Sequence, residues 1–174
     1  MVFFTDPGRW KIPILIGFGA LFLARRARGV IALLTLIATL AMSDQVSAKV
    51  LKPILRRERP SVVLADTNPL FGVRRSWAFP SVHATNFAAA VPIVAAVFPA
   101  ALVPASVVAG LVCVSRVYVG DHWPSDVAGG ALLGLGIGLL GRRAFLRLEA
   151  GWVRRRGSRE VLPTPIEEAP SGGP

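Results

Sequence analysis

Residues 100–119 read AALVPASVVAGLVCVSRVYV, twenty positions with one formal charge, Arg116. A helix of that length rises about 30 Å, the thickness of a bilayer's hydrocarbon core. The stretch is therefore expected to cross a membrane. Immediately before it, 82–98 is nearly charge-free apart from His83 and contains Pro92. The connection between the two is so short that they must form an antiparallel hairpin. Downstream, 127–140 is a further apolar segment in which Gly130, Gly134 and Gly138 recur every four residues, a small-residue stripe that lets another helix approach closely in lipid. Upstream lie 12–24 and 30–42, separated by the basic run Arg25, Arg26, Arg28. The first has only 13 apolar residues and spans only if flanking bases snorkel or the bilayer thins. The second continues through Ser43, Asp44, Gln45, Ser47, Lys49 and Lys52, a polar extension that should face protein or water, with Asp44 read as a structural pairing partner.

Composition agrees with this reading. Of 174 residues, 53% are hydrophobic and only 17% charged, which argues against a water-soluble domain. The single cysteine, Cys113, excludes an intramolecular disulfide framework and a cysteine-based zinc cluster. Long β-strand alternation and internal repeats are absent. The N-terminus lacks a short apolar core followed by a cleavage site, so residues 1–24 read as structure. The chain is expected to be an all-α integral membrane bundle of about five transmembrane helices. Residues 1–141 form the embedded domain, 142–156 a basic juxtamembrane segment, and 157–174 a disordered tail. The 142–156 segment alternates bases with Phe145, Leu146, Leu148, Trp152 and Val153, as a helix lying on an anionic leaflet would, or forms a solvated basic tail.

Charges also bear on orientation. Net charge is +10, and seven of the 20 bases follow residue 141. Counting spans puts the 25–28 loop and the tail on one side of the membrane, and the 56–79 and 120–124 loops on the other. With Lys52, Arg59 and Arg116 set aside for chemistry, ten bases face seven, which places the tail in the cytoplasm and the polar loops outside. Anionic bilayer lipids are the expected surroundings. No nucleic-acid partner is expected.

Three polar clusters fall on the outward side: KPILRRERP at 52–60, PSVH at 80–83, and SRVYVGDHWPSD at 115–126. An ionised side chain at a helix centre costs about 2.5–3.5 kcal/mol on insertion scales, so such clusters demand a reason. Lys52, Arg59 and Arg116 offer three positive charges to a phosphate, the arginines through planar forks that match its oxygens. Ser81 precedes an apolar helix, where free backbone N–H groups and the helix dipole favour an anion. Both histidines of the chain lie in these clusters. His122 and Asp126 are one helical turn apart, so the carboxylate could hold one imidazole nitrogen and leave the other as nucleophile. His83 is then available to protonate the leaving oxygen and later to activate water. Asp121 and Trp123 are expected at the pocket mouth, and Arg56, Arg57, Arg74 and Arg75 at a polyanionic head group or at lipid phosphates.

The three clusters resemble the three-part signature of the type 2 phosphatidic acid phosphatase superfamily, which includes bacterial lipid phosphatases and vanadium haloperoxidases. The pattern is Lys, six residues, Arg-Pro; then Pro-Ser-Gly-His; then Ser-Arg, five residues, His, three residues, Asp. The first and third parts match throughout, and the second departs once, with Val82 in place of glycine. Valine can adopt helical angles and still point its N–H at phosphate, so changed packing is expected rather than lost activity. The resemblance implies an acid-phosphatase/haloperoxidase-like helical core in which Lys52, Arg59, Ser81 and Arg116 bind phosphate. It also implies that His83 is the acid and that His122 forms a phosphohistidine oriented by Asp126. Members of the family typically have six spans. The first has no counterpart among the five read here, which leaves open completion of the bundle by a partner copy, a homo-oligomer, or by the Arg-rich tail.

The expected function is a metal-independent bacterial cytoplasmic-membrane phosphatase acting on a lipid phosphate or diphosphate. By resemblance the candidates are undecaprenyl diphosphate, phosphatidylglycerophosphate, phosphatidate or a lipid A phosphate. No cofactor or metal is expected, because carboxylates are sparse and the charge partners for phosphate are Lys and Arg. The rivals are a vanadate-dependent haloperoxidase and a non-enzymatic lipid-binding or lipid-moving protein.

Overall fold

A computed structural model of the chain describes residues 7–64, 72 and 75–160, with the backbone alone for 7–15, 18, 21–24 and 158–160. Every regular element among the described residues is helical. Helix α1, Pro7–Asp44, is broken at Arg26, whose φ of 40° lies outside the helical region. With ψ −119° this is a backbone conformation that L side chains rarely adopt. The break falls in the basic run read as a loop, so the segments 12–24 and 30–42 are two arms of one kinked helix. Along the second arm and into the stretch that follows it, Thr35, Thr39, Ser43 and Ser47 recur every four residues on the buried side, while Leu34, Ile37 and Met42 point outward where lipid would lie. The polar extension does face protein through Ser43, whose hydroxyl donates to Asn86 Oδ1 at 2.7 Å. Asp44, Gln45 and Lys49 are exposed on its other side.

The chain next widens into a π-helical stretch, Gln45–Leu51, and regains α geometry in α2, Lys52–Leu55. Widened turns of this kind rotate the residues that follow about the helix axis; here Lys52 emerges buried. Arg56, left-handed at φ 45°, ends α2. Arg59 precedes Pro60, and the proline ring holds the residue before it extended, φ −78° and ψ 151°. Pro60 then starts the short helix α3, Pro60–Val63. Of the 56–79 insertion, residues 65–71, 73 and 74 lie outside the described residues, Arg74 among them.

Helices α4, Val82–Val97, and α5, Leu102–Tyr118, form the expected hairpin through a single 3₁₀ turn, Pro99–Ala101. Helix α6, Pro124–Glu160, is 37 residues long, about 55 Å at 1.5 Å per residue. It runs unbroken through 142–156 and outreaches a hydrocarbon core of about 30 Å by several turns. The start of the expected tail, 157–160, is helical, and 161–174 lies outside the described residues. Among the described residues, three helical stretches, Arg25–Val63, Pro99–Tyr118 and Pro124–Gly157, are long and apolar enough to cross a membrane; Val82–Val97 is a shorter apolar helix. The chain is an integral membrane protein.

Helix α4 sits at the centre, with α6, α5 and α1 around it. The glycine stripe is the seam. A Cβ at Gly130 would stand 2.7 Å from the Ser81 carbonyl oxygen, at Gly134 it would run into the Thr85 carbonyl, and at Gly138 into that of Ala89. Helices α4 and α6 thus touch backbone to backbone along three turns. At the end remote from the polar clusters, Ala32, Val97 and Phe145 pack together. Beside them Arg28 pairs with Glu149 at 2.7 Å and donates to the Ala96 carbonyl at 3.2 Å. The polar clusters gather at the opposite end.

Candidate active site

A chain reversal, a capped helix start and a junction between α4 and α6 assemble this end. Gly120, at φ 71°, takes the left-handed conformation that ends α5 and turns the chain back, a conformation glycine adopts without a Cβ penalty. The His122 N–H then donates to the Arg116 carbonyl at 3.3 Å. Helix α6 begins just after, at Pro124. The Trp123 N–H donates to Asp126 Oδ2 at 2.8 Å while the Asp126 N–H returns to the Trp123 carbonyl at 3.0 Å, a reciprocal cap that fixes the carboxylate. Ser81 enters α4 beside it, its N–H donating to the Asp126 carbonyl at 3.0 Å.

The seven residues read from the sequence as catalytic or phosphate-binding gather at this end. Lys52, Arg59, Ser81, Arg116, His122 and Asp126 are buried, and His83 is half-buried in the first turn of α4. Arg59 Nη1 is 3.5 Å from His122 Nε2 and 2.8 Å from the Asp121 carbonyl oxygen. The Ser81 hydroxyl does not cap its helix: it is fully buried with no hydrogen-bond partner. Such an orphaned hydroxyl is costly and calls for an explanation, which a phosphate oxygen would supply. Asp126 Oδ2 lies 3.7 Å from His122 Nδ1, too far for a direct hydrogen bond.

Three contributors take places that the motif reading does not give them. Arg57, expected at a head group, donates from Nη1 to Asp126 Oδ1 at 2.8 Å and to Ser125 Oγ at 2.7 Å, and lies over the Trp123 ring. A base two positions before Arg59 and a carboxylate with a spare oxygen were the available clue. Asp121, expected at the pocket mouth, is buried between Arg59 and Arg116. Finally, the strap leading into α4 supplies backbone acceptors: Lys52 Nζ donates to the Trp77 carbonyl, and Arg59 Nε to that of Ser76 at 2.7 Å.

The electrostatics suit a nucleophilic imidazole. His122 lies in the loop between α5 and α6, and its pKa is lowered from 6.5 to about 2. Burial is the main cause, followed by the charges of Arg59, Lys52 and His83, with a backbone hydrogen bond to Ala78 pulling the other way. The ring is therefore neutral at physiological pH. An unfolded chain titrates this group near 6.5, so below that pH the unfolded state gains a proton that the folded state refuses. The group's penalty on folding is absent above pH 6.5 and grows by up to about 1.4 kcal/mol per pH unit as pH falls. Melting temperatures of detergent-solubilised wild type should thus fall more steeply between neutrality and about pH 4.5 than those of His122→Gln. Parallel curves would contradict this assignment of charge.

A helical membrane bundle with a buried histidine ringed by cations at one end defines a class, and the family comparison agrees: the PAP2 superfamily matches residues 28–149, and the chain belongs to it. Phosphatidylglycerophosphatase B of Bacillus subtilis (strain 168) is 35% identical over 133 residues, which cover 70% of this chain and 60% of that protein. The chain thus spans about 60% of the length of this curated relative. It is also similar to the crystal structure of the first transmembrane PAP2 type phosphatidylglycerolphosphate phosphatase from Bacillus subtilis. The TM-score is 0.59 and the identity 30%, over 79% of this chain and 70% of that one.

Proposed function

We propose that this protein is a membrane phosphatase that hydrolyses a lipid phosphate by way of a phosphohistidine at His122. The observation that carries the reading is a neutral, buried imidazole facing Arg59 at 3.5 Å, with Lys52 and His83 close enough for their charges to act on it. Lys52, Arg59, Arg116 and the orphaned Ser81 hydroxyl bind the phosphate oxygens. With the Nδ1 proton turned toward Asp126, Nε2 attacks phosphorus and the bond from phosphorus to the lipid oxygen breaks. His83 gives that oxygen its proton. In the second half, His83 takes a proton from water, whose oxygen attacks phosphorus; the P–N bond breaks, phosphate leaves, and His122 is neutral again. Arg57 holds the Asp126 carboxylate in place from outside.

Of the candidate substrates, phosphatidylglycerophosphate is favoured, since it is the substrate named for the similar proteins. The head group meets the cations at the outward end, the acyl chains remain in the bilayer, and the C-terminal end of α6 lies in the cytoplasm.

The test is release of inorganic phosphate in detergent from phosphatidylglycerophosphate, phosphatidate, undecaprenyl diphosphate and a lipid A phosphate, with and without EDTA. Turnover of phosphatidylglycerophosphate that survives EDTA is expected. Failure to release phosphate from any of the four, or loss of release in chelator, would overturn the reading.

A further inference from the structure

Asp121 is a carboxylate buried inside a site built for an anion. Its side chain is 5% exposed, with Oδ1 3.5 Å from Arg59 Nη1 and Oδ2 3.9 Å from Arg116 Nη1. Negative charge there opposes phosphate binding, so its presence demands a reason. Holding Arg59 in place is not a sufficient one. That guanidinium already donates to the Ser76 carbonyl at 2.7 Å, to Ser76 Oγ at 3.0 Å and to the main-chain carbonyl of Asp121 at 2.8 Å. None of these needs the Asp121 side chain. What the carboxylate supplies is charge. Arg59 and Arg116 are both almost fully buried, and the two like charges, unscreened by water, would repel one another and retain any anion that entered.

We infer that Asp121 sets how tightly the site holds phosphate, its carboxylate offsetting one of the two arginine charges so that the product can leave. The inference rests on the proposed phosphatase reading. In that reaction the last product is inorganic phosphate, a dianion in contact with three cations. Beside the Asp121 carboxylate the arginine pair carries one net charge instead of two, so the empty site has less need of a bound anion. Asp121 thus acts on phosphate through the charges of Arg59 and Arg116 and does not itself contact it.

The experiment measures product inhibition and phosphate binding in the full-length protein in detergent. In Asp121→Asn, which keeps shape and a hydrogen-bonding oxygen, the inhibition constant for inorganic phosphate should fall about tenfold, as expected when one unit charge is removed a few ångströms from a dianion. KM and kcat for the lipid should fall together, because substrate is held better and product leaves more slowly. Asp121→Glu, which keeps the charge, should stay within about threefold of wild type. A structural role alone would lower kcat and leave the inhibition constant unchanged or raised, and either result overturns the inference. If Asp121→Asn is recovered unfolded, excess inorganic phosphate during extraction should restore it by supplying the missing negative charge; failure to restore it also contradicts the inference. The phosphate-induced rise in melting temperature, larger in Asp121→Asn than in wild type, needs no turnover. A wild type that binds phosphate but hydrolyses no lipid would defeat the proposed activity while still testing the charge argument.

Discussion

Replacing His122 with alanine is expected to lower the rate of lipid phosphate hydrolysis by at least about 10³-fold, with the protein still folded. The size of the loss follows from the proposed covalent route: without the imidazole nitrogen the phosphoryl group has no first acceptor, and the phosphate binding proposed for Lys52, Arg59 and Arg116 cannot replace it. Retention of the fold follows from the site's energetics. His122 Nδ1 makes no hydrogen bond and the surroundings disfavour a protonated ring, so its removal costs the folded state the Ala78 backbone contact and some buried packing but no ion pair. His83→Ala should lose less when the leaving group is already good, as with a diphosphate, because the leaving oxygen then needs little help from an acid. Phosphate release by wild type, His122→Ala and His83→Ala measured side by side separates the two roles. Equal turnover by His122→Ala and its parent would end the proposed mechanism.

Gly134→Val carries the largest expected effect on the fold. The new Cβ would run into the Thr85 carbonyl, and neither partner is a flexible side chain that can swing aside. Helices α4 and α6 must separate, and overpacking of this kind costs about 3 kcal/mol or more where backbone opposes backbone. Activity should fall with stability. Thr85 donates through Oγ1 to the Ser81 carbonyl at 2.9 Å, and the Ser81 N–H is bonded to the Asp126 carbonyl at 3.0 Å, so the seam also sets the register between the two halves of the site. Gly136→Ala is the control: nothing stands within 4 Å of its added Cβ, and alanine favours the helix by about 0.5–1 kcal/mol. Melting temperature and lipid hydrolysis should collapse in Gly134→Val and hold or improve in Gly136→Ala. Comparable stability in the two variants would show that the seam is not close-packed.

The same seam marks how much the sequence reveals. Glycines at 130, 134 and 138 announce a close helix approach because their spacing is one turn and the missing side chain is itself the signal. The Lys, Arg, His and Asp of the site are legible for a similar reason, since charged groups beside apolar segments need a function or a partner. What stays hidden depends on the third dimension. Asp121 reads as a loop carboxylate until Gly120 turns the chain and buries it between two arginines that are 57 residues apart in sequence. Arg57 is one base among several until the fold brings it to the Asp126 carboxylate, 69 residues away in sequence. The Ser76 and Trp77 carbonyls leave no trace, because every residue has one. The kink at Arg26 and the unbroken course of α6 through 142–156 also escape composition: the basic residues there are compatible with a loop, a bent surface helix or a straight one.

The central claim is that a phosphoryl group passes from lipid to His122. Its most direct test is rapid quenching of the enzyme during turnover, under alkaline conditions that preserve phosphohistidine, followed by peptide mass spectrometry. A single phosphoryl group on His122 is predicted, appearing as fast as the first lipid product and disappearing as phosphate is released. Steady turnover with no phosphoryl group on His122, or with one on a different residue, would contradict it.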